Sequence, residues 1–265
     1  MRRSDHEQGP RSRRGVIILR RLLSVGLLAL PTVVGAPPAT AAGGVLPLFD
    51  QAPDPLEDWA VQRFEGETRY RALPGDRGPV VEARSRGAAS GRVRELEVDP
   101  GHHRWLAWSW SVDAPVPVAD VRERAGDDFA ARVYVVFSGG WARWRSTSLV
   151  YVWAPEGAPA EPWPNPFTGQ AMMIAATRGS ATRGPATRGS ATGDSTMRTD
   201  PDGRIWVDVR RDLVADYRLA FGREPPEIVA VAIMTDTDQT GAEARARYAD
   251  LRLLSGDVTA PPSSD

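Results

Sequence analysis

The sequence predicts a mostly β chain: an antiparallel two-sheet sandwich of jelly-roll form, carrying one short helix. Three observations predict it. Short runs rich in Val, Ile, Tyr, Trp and Phe recur along the chain, separated by Gly, Pro and Asp, the punctuation of strands and turns. One run, Trp105–Val112, alternates strictly: Leu106, Trp108, Trp110 and Val112 fall on one face, Ala107, Ser109 and Ser111 on the other. That is the pattern of a half-buried antiparallel strand. Only one segment has clear helical spacing, and many strands with a single helix fit two packed sheets better than βαβ units.

From the N-terminus, Arg2, Arg3, Arg11, Arg13, Arg14, Arg20 and Arg21 precede an apolar stretch from Leu22 to Ala36. The stretch is shorter than the roughly 20 residues of a membrane span. Ala39-Thr40-Ala41 then supplies a small-x-small cleavage pattern. Residues 1–41 are therefore expected to be a signal peptide, and the protein to be exported, periplasmic or secreted, with no span left after cleavage. The Arg pairs leave the choice between general and twin-arginine export open.

Residues 42–58 read as a lead-in to a sandwich spanning 59–254. Strands are expected at Val61–Phe64, Arg69–Leu73, Val80–Arg84, Val93–Val98, Trp105–Val112, Arg132–Phe137, Leu149–Trp153, Ala171–Ala176, Ile205–Val209, Ile228–Met234 and Tyr248–Leu254. Arg132–Phe137 and Leu149–Trp153 are dense enough in β-branched and aromatic residues to be central. Asp212 is placed to cap a helix, Leu213, Tyr217 and Phe221 recur at i, i+4 and i+8, and Gly222 then Pro225 end it. Ala154–Pro166 holds five prolines and reads as an irregular connection. Residues 176–193 repeat Ala-Thr-Arg-Gly; they can bury too little area to offset their own ordering, so a disordered low-complexity insert is expected. Residues 255–265 read as a flexible tail.

Composition narrows the chemistry. The chain has no cysteine, which removes disulfides, thiolate metal sites and cysteine nucleophiles together. Its three histidines are His6, His102 and His103, and the last two sit in a turn-forming Asp-Pro-Gly context. Basic and acidic residues number 33 and 34. Without residues 1–41 the balance is acidic, so nucleic acid is not an expected partner.

Two acidic clusters stand at the ends of apolar strands: Asp127-Asp128, shortly before Arg132, and Asp236-Thr237-Asp238-Gln239. In an extended chain the side chains at i and i+2 project the same way. Asp236 and Asp238 could therefore form a hard-oxygen site for Ca²⁺. Alternatively, these aspartates bond turn amides and pair with Arg132. Trp141 and Trp144 follow Gly139-Gly140 and are candidates for exposed indoles that stack on sugar rings; Trp108, Trp110 and Trp153 have core spacing. The expected ligand site thus comprises Asp127, Asp128, Arg132, Asp236, Asp238, Gln239, Trp141 and Trp144. Its expected partner is a polysaccharide or a cell-envelope component. A hydrolase or lyase using two of the acids and a domain with no small ligand are the alternatives. No nucleophile elbow, phosphate loop or zinc-protease helix is present in the sequence.

Several stretches carry a resemblance. Trp108-Ser109-Trp110-Ser111-Val112, Gly126 through Phe137, Leu149 through Trp153, Asp216 through Gly222, Ile233 through Thr240 and Tyr248-Ala249-Asp250 together resemble a bacterial domain-of-unknown-function family, number 3047. The family usually has Asn at the position of Gln239 and normally lacks the Ala-Thr-Arg-Gly repeat. The resemblance implies a domain identity and an exported setting, and no activity. More loosely, Tyr248 through Leu253 is similar to the last strand of jelly-roll carbohydrate-binding modules, where an Asp placed like Asp250 often helps to hold Ca²⁺.

Overall fold

A computed structural model describes residues 44–49, 54–75, 77–140, 145–179 and 193–256. The expected signal peptide, Trp141, Trp144, most of the repeat and the tail beyond residue 256 lie outside the described residues. The strands are β1 (Val45–Pro47), β2 (Ala60–Glu65), β3 (Arg69–Leu73), β4 (Val80–Arg86), β5 (Ala89–Val98), β6 (Trp105–Val112), β7 (Arg132–Phe137), β8 (Thr147–Ala154), β9 (Trp163–Asn165), β10 (Thr168–Arg178), β11 (Gly193–Thr199), β12 (Ile205–Asp212), β13 (Ile228–Asp236) and β14 (Glu243–Leu254), with one α-helix, α1 (Leu213–Phe221). They form two sheets. The first runs β11-β12-β6-β14-β4-β3, with β1 on the far end of β14; the second runs β2-β5-β13-β7-β8-β10-β9. Every described pairing is antiparallel except β8 with β10, so the second sheet is mixed.

Alternation builds the core. Leu106, Trp108, Trp110 and Val112 of β6 face Leu149, Tyr151 and Trp153 of β8 and the inward residues of β7, β13 and β14 in one cluster. Four rings link the sheets: Trp108 lies 5.2 Å from Trp110 and 5.3 Å from Tyr151, and Trp110 lies 5.8 Å from Trp153. Tilted and edge-on contacts of this kind add to what burial alone contributes. The buried indole N–H groups of two of these rings find acceptors, Trp110 donating to Thr177 Oγ1 at 3.0 Å and Trp153 to Gly179 O at 2.8 Å.

That pairing corrects the expected insert boundary. Ala176, Thr177 and Arg178 continue β10 instead of opening a loop, because Thr177 satisfies an indole that burial would otherwise leave unpartnered. The lead-in also belongs to the domain. β1 pairs with β14, and Leu48, Phe49 and Leu56 are core residues. Ser255 and Gly256, read as tail, donate to Gly44 O and His102 O. The proline-rich connection contains β9.

β6 is not half-buried: Ser109 and Ser111 are each 1 % exposed. Trp206 of β12 clusters with Ala249 of β14 and Val80 of β4, and so roofs the small residues of the strand between them. β8 is likewise covered on its outer side, where Val150, Val152 and Ala154 pack with Val121, Phe129 and Trp163. Coverage of both faces explains its unbroken apolar run.

The helix begins and ends as its sequence indicates. The Asp212 carboxylate accepts from Val214 N and Ala215 N at 3.1 and 3.0 Å, and Gly222 closes it at φ +68°. One turn inside, Asp216 is buried and receives Arg211 Nε at 2.9 Å and Tyr151 Oη at 2.8 Å, tying helix, first sheet and second sheet together. Removing one member of a buried ion pair costs about 3–5 kcal/mol. Asp216→Ala is expected to lose an amount in that range in urea unfolding, whereas a loss below about 1 kcal/mol would show that this junction is not needed.

Candidate functional site

The two acidic clusters meet. A 3₁₀ turn at Arg124–Gly126 leads into Asp127 and Asp128. Gly126 is required there, since a Cβ would lie 2.0 Å from Asp120 O. Opposite, β13 ends at Asp236 and the chain turns through Thr237–Gly241 toward β14. The strands register Met234 against Arg132, so Arg132 and Asp236 rise from the same face of neighbouring strands.

Arg132 is the centre of this rim, and it is 2 % exposed. Its Nε donates to Asp236 Oδ1 at 2.8 Å, and its Nη2 bonds both Asp236 Oδ2 and the Asp127 carbonyl. Nη1 reaches Asp127 Oδ1 and Tyr134 Oη, each at 3.3 Å. The guanidinium carbon lies 4.7 Å from the centroid of the Phe129 ring. Burial opposes the charge on Arg132, but Asp127 and Asp236 outweigh it and hold the group firmly protonated. The Arg132 side chain thus holds the rim together from below.

Asp128 does different work. Its carboxylate accepts from Gln239 N at 3.2 Å, Thr240 N at 2.7 Å and Thr240 Oγ1 at 2.6 Å, stapling the β13–β14 turn to the approach of β7. Asp127 receives Asn165 Nδ2 at 3.1 Å on each oxygen. Asn165 was missed in the sequence because it lies in β9, inside the proline-rich connection; no local pattern marks it. Tyr134 was also missed, though its place two residues beyond Arg132 on an extended strand puts it on the same face. Burial, with the nearby acids, pushes the Tyr134 phenol up to about 12 against the pull of Arg132.

One oxygen from each of Asp128, Asp236 and Asp238 lies within 4.8 Å of the other two. Asp250 is not in this group. It stands in a β14 bulge at φ +56°, paired with Arg77 and Arg252 on the first sheet. Asp238 is half-buried and Gln239 exposed, the Gln239 amide donating to Asp238 Oδ2 at 2.6 Å. Two shallow depressions among the described residues lie elsewhere, one beside Asp250 and one beside Arg104.

As for a metal, the donor set is all oxygen, which suits Ca²⁺. Both Asp236 oxygens, however, already bond a guanidinium, and both Asp128 oxygens hold turn donors. Four carboxyls gather around one cation. Burial raises the pKa of Asp127 and Asp238 above the usual carboxylate range and that of Asp236 far above it, with neighbouring acids adding to each.

Two predictions follow from this balance. Arg132→Met leaves Asp127 and Asp236 buried without their cation and is expected to cost about 3–5 kcal/mol in urea unfolding. Adding Asp236→Leu is expected to restore most of that loss; failure to restore it would show that the pair is not the source. The second prediction concerns pH. A carboxyl whose folded pKa is raised contributes stability that is complete below its unfolded value, near 4, and is lost as pH rises through the folded value. Asp238→Asn is therefore expected to be more stable than the parent at pH 7–8, by up to about 1 kcal/mol after allowance for its partial exposure. The difference should vanish toward pH 4, as thermal melts across that range would show.

A family described as a protein of unknown function (DUF3047) matches residues 57–189 and 195–252. No curated protein is matched. Among solved structures the chain is similar to the agarase AgWH50C, at 11 % identity and a TM-score of 0.32, over 82 % of this chain and 25 % of that one. It is also similar to the xyloglucanase domain of NopAA, a type three effector from Sinorhizobium fredii solved with cellobiose, at 10 % identity and a TM-score of 0.32, over 74 % and 96 %. The chain spans a quarter of the agarase, and likeness at this level carries no argument here. The family match takes in both acidic clusters, every strand from β2 to β10 and nearly all that follows: the chain belongs to the DUF3047 family.

Proposed function

We propose that this chain is an exported β-sandwich that binds a glycan, or another polar ligand of the cell envelope, at the rim formed by residues 127–132 and 236–240. The observation that carries the reading is the state of Asp238. It is held half-buried against two further carboxyls, with its pKa raised, where the mouth of the cluster meets solvent. A group kept at such a cost is characteristic of a site that uses it. Asp238 would exchange hydrogen bonds with ligand hydroxyls, Gln239 and Thr240 would add an amide and a hydroxyl, and Arg132 would position the carboxyls from below. Export rests on the basic, apolar and small-x-small order of residues 1–41.

The test is binding of the purified chain to a panel of immobilised neutral and acidic glycans. Gln239→Ala and Asp238→Asn are each expected to weaken the captured ligand at least about tenfold while the melting midpoint holds or rises. Unchanged binding by both variants overturns the assignment. The 4.8 Å gathering of Asp128, Asp236 and Asp238 favours one second reading, a cation-stabilised rim. Because Arg132 already supplies positive charge, melts in EDTA and in millimolar Ca²⁺ are expected to coincide. A Ca²⁺-dependent rise that is lost in Asp238→Ala would favour the cation instead.

A further inference from the structure

The outer face of the first sheet carries a second, separate feature. β3, β4 and β14 lie side by side, and their register sets Arg69 opposite Arg84 and Arg84 opposite Arg245. The next outward row is Arg71, Glu82 and Arg247. Two adjoining rows thus hold five arginines and one glutamate. Like charges directly opposite on neighbouring strands are destabilising, and strands only about 4.8 Å apart give the rows little room to separate.

The acids present do not balance this grid. The Glu82 side chain is 0 % exposed and is shared by three guanidiniums, Arg71 at 2.8 Å, Arg84 at 2.7 Å and Arg247 at 2.6 Å. Burial would raise its pKa, but the arginines prevail and hold it below the usual range. Asp113, at the border, is likewise shared by Arg204 at 3.1 Å, Arg247 at 3.4 Å and Arg245 at 3.5 Å. Arg69 is exposed and has no ion-pair partner among the described residues. Five arginines therefore share two carboxylates, and Arg69 adds a sixth cation. Beneath them Ser111, which pairs in register with Arg247, is buried with its hydroxyl unpartnered.

We propose that this face binds an acidic polysaccharide, with Arg69, Arg71, Arg84 and Arg245 engaging its carboxylate or sulfate groups. The guanidinium fork matches planar anions bidentately, and a flat grid on a twisted sheet suits an extended polymer with repeated charges. Single-stranded nucleic acid would call for exposed aromatic platforms. The indoles of this face lie under arginines: Trp206 is 5 % exposed with Arg198 4.9 Å away, and the half-buried Trp105 has Arg210 4.2 Å away. A membrane surface would call for apolar anchors, and the exposed large hydrophobics among the described residues are Met197 and Leu219, neither of them in the grid.

The experiment measures binding of the full chain to polygalacturonate, dextran sulfate, neutral dextran, polyuridylate and anionic phospholipid vesicles at two salt concentrations. The result expected is salt-sensitive binding to one or both acidic polysaccharides and none to dextran, the two acidic probes distinguishing carboxylate from sulfate. Arg69→Gln/Arg84→Gln/Arg245→Gln should weaken that binding at least tenfold and flatten its salt dependence, without lowering the melting midpoint. Arg69→Gln alone, at an exposed and unpaired side chain, should weaken it severalfold and serves if the triple variant misfolds. Arg218→Gln, at an exposed arginine of α1 paired with Glu224 and outside both the grid and the rim, should leave it unchanged. No binding to either acidic polysaccharide, tighter binding to polyuridylate or vesicles, or full binding by the Arg69→Gln and triple variants overturns the proposal.

Discussion

A guanidinium buried at the first residue of a central strand survives only if carboxylates are brought to it from other parts of the chain. Arg132 makes that demand, and much of the sandwich rim follows from it. Asp127 arrives from five residues upstream, which requires the 3₁₀ turn and the cramped Gly126. Asp236 arrives from the end of β13, which fixes where that strand stops beside β7. Asn165 holds the far side of Asp127, so even the short β9 is drawn in. An unpaired charge at this depth would cost several kcal/mol, more than any single contact nearby returns. The pair is thus a constraint on assembly rather than a large net source of stability.

Three places among the described residues bury charge and resolve it differently. At Arg211 and Asp216 one cation meets one anion, with the Tyr151 hydroxyl completing the carboxylate; the balance is closed, and the junction does structural work only. At the rim, acids outnumber the cation and carboxyl pKa values rise. On the outer face of the first sheet, cations outnumber the acids and the Glu82 pKa falls. An excess of either sign is costly in isolation and is relieved by a ligand of the opposite or proton-sharing kind. That is why the two unbalanced places, and not the balanced one, carry functional readings.

Much of the fold was legible because period-two patterning is local. Trp105–Val112, Arg69–Leu73 and Arg132–Phe137 are strands with the bounds their composition indicates, and Asp212 and Gly222 mark the helix ends. What escaped was set by distant partners. β1 and β9 are three residues each, too short for any period, and exist because β14 and β10 offer them edges. Ser109 looked solvent-facing because nothing near it in sequence announces that Trp206 will lie across its strand. The candidate site was half legible. Oxygens of Asp236 and Asp238 do lie close together, though the chain is already turning at Asp238, and the burial of Arg132 depends on Phe129 and Tyr134 packing against it, which strand spacing alone does not convey.

Net charge is blind to placement for a related reason. Residues beyond 41 are acidic in sum, which argues against polyanionic partners only if charge is spread evenly. It is not. The rim acids lie on the outer side of the second sheet, and the arginine grid lies on the outer side of the first. Packed sheets stand about 10 Å apart, so groups on opposite outer faces are separated by at least about that distance. A polymer at the grid would meet the local excess of arginine at contact distance and the rim acids only from farther away, where their Coulomb energy is smaller. The strand register, which sets Arg69, Arg84 and Arg245 in one row from three distant parts of the chain, makes that excess; composition averages it away.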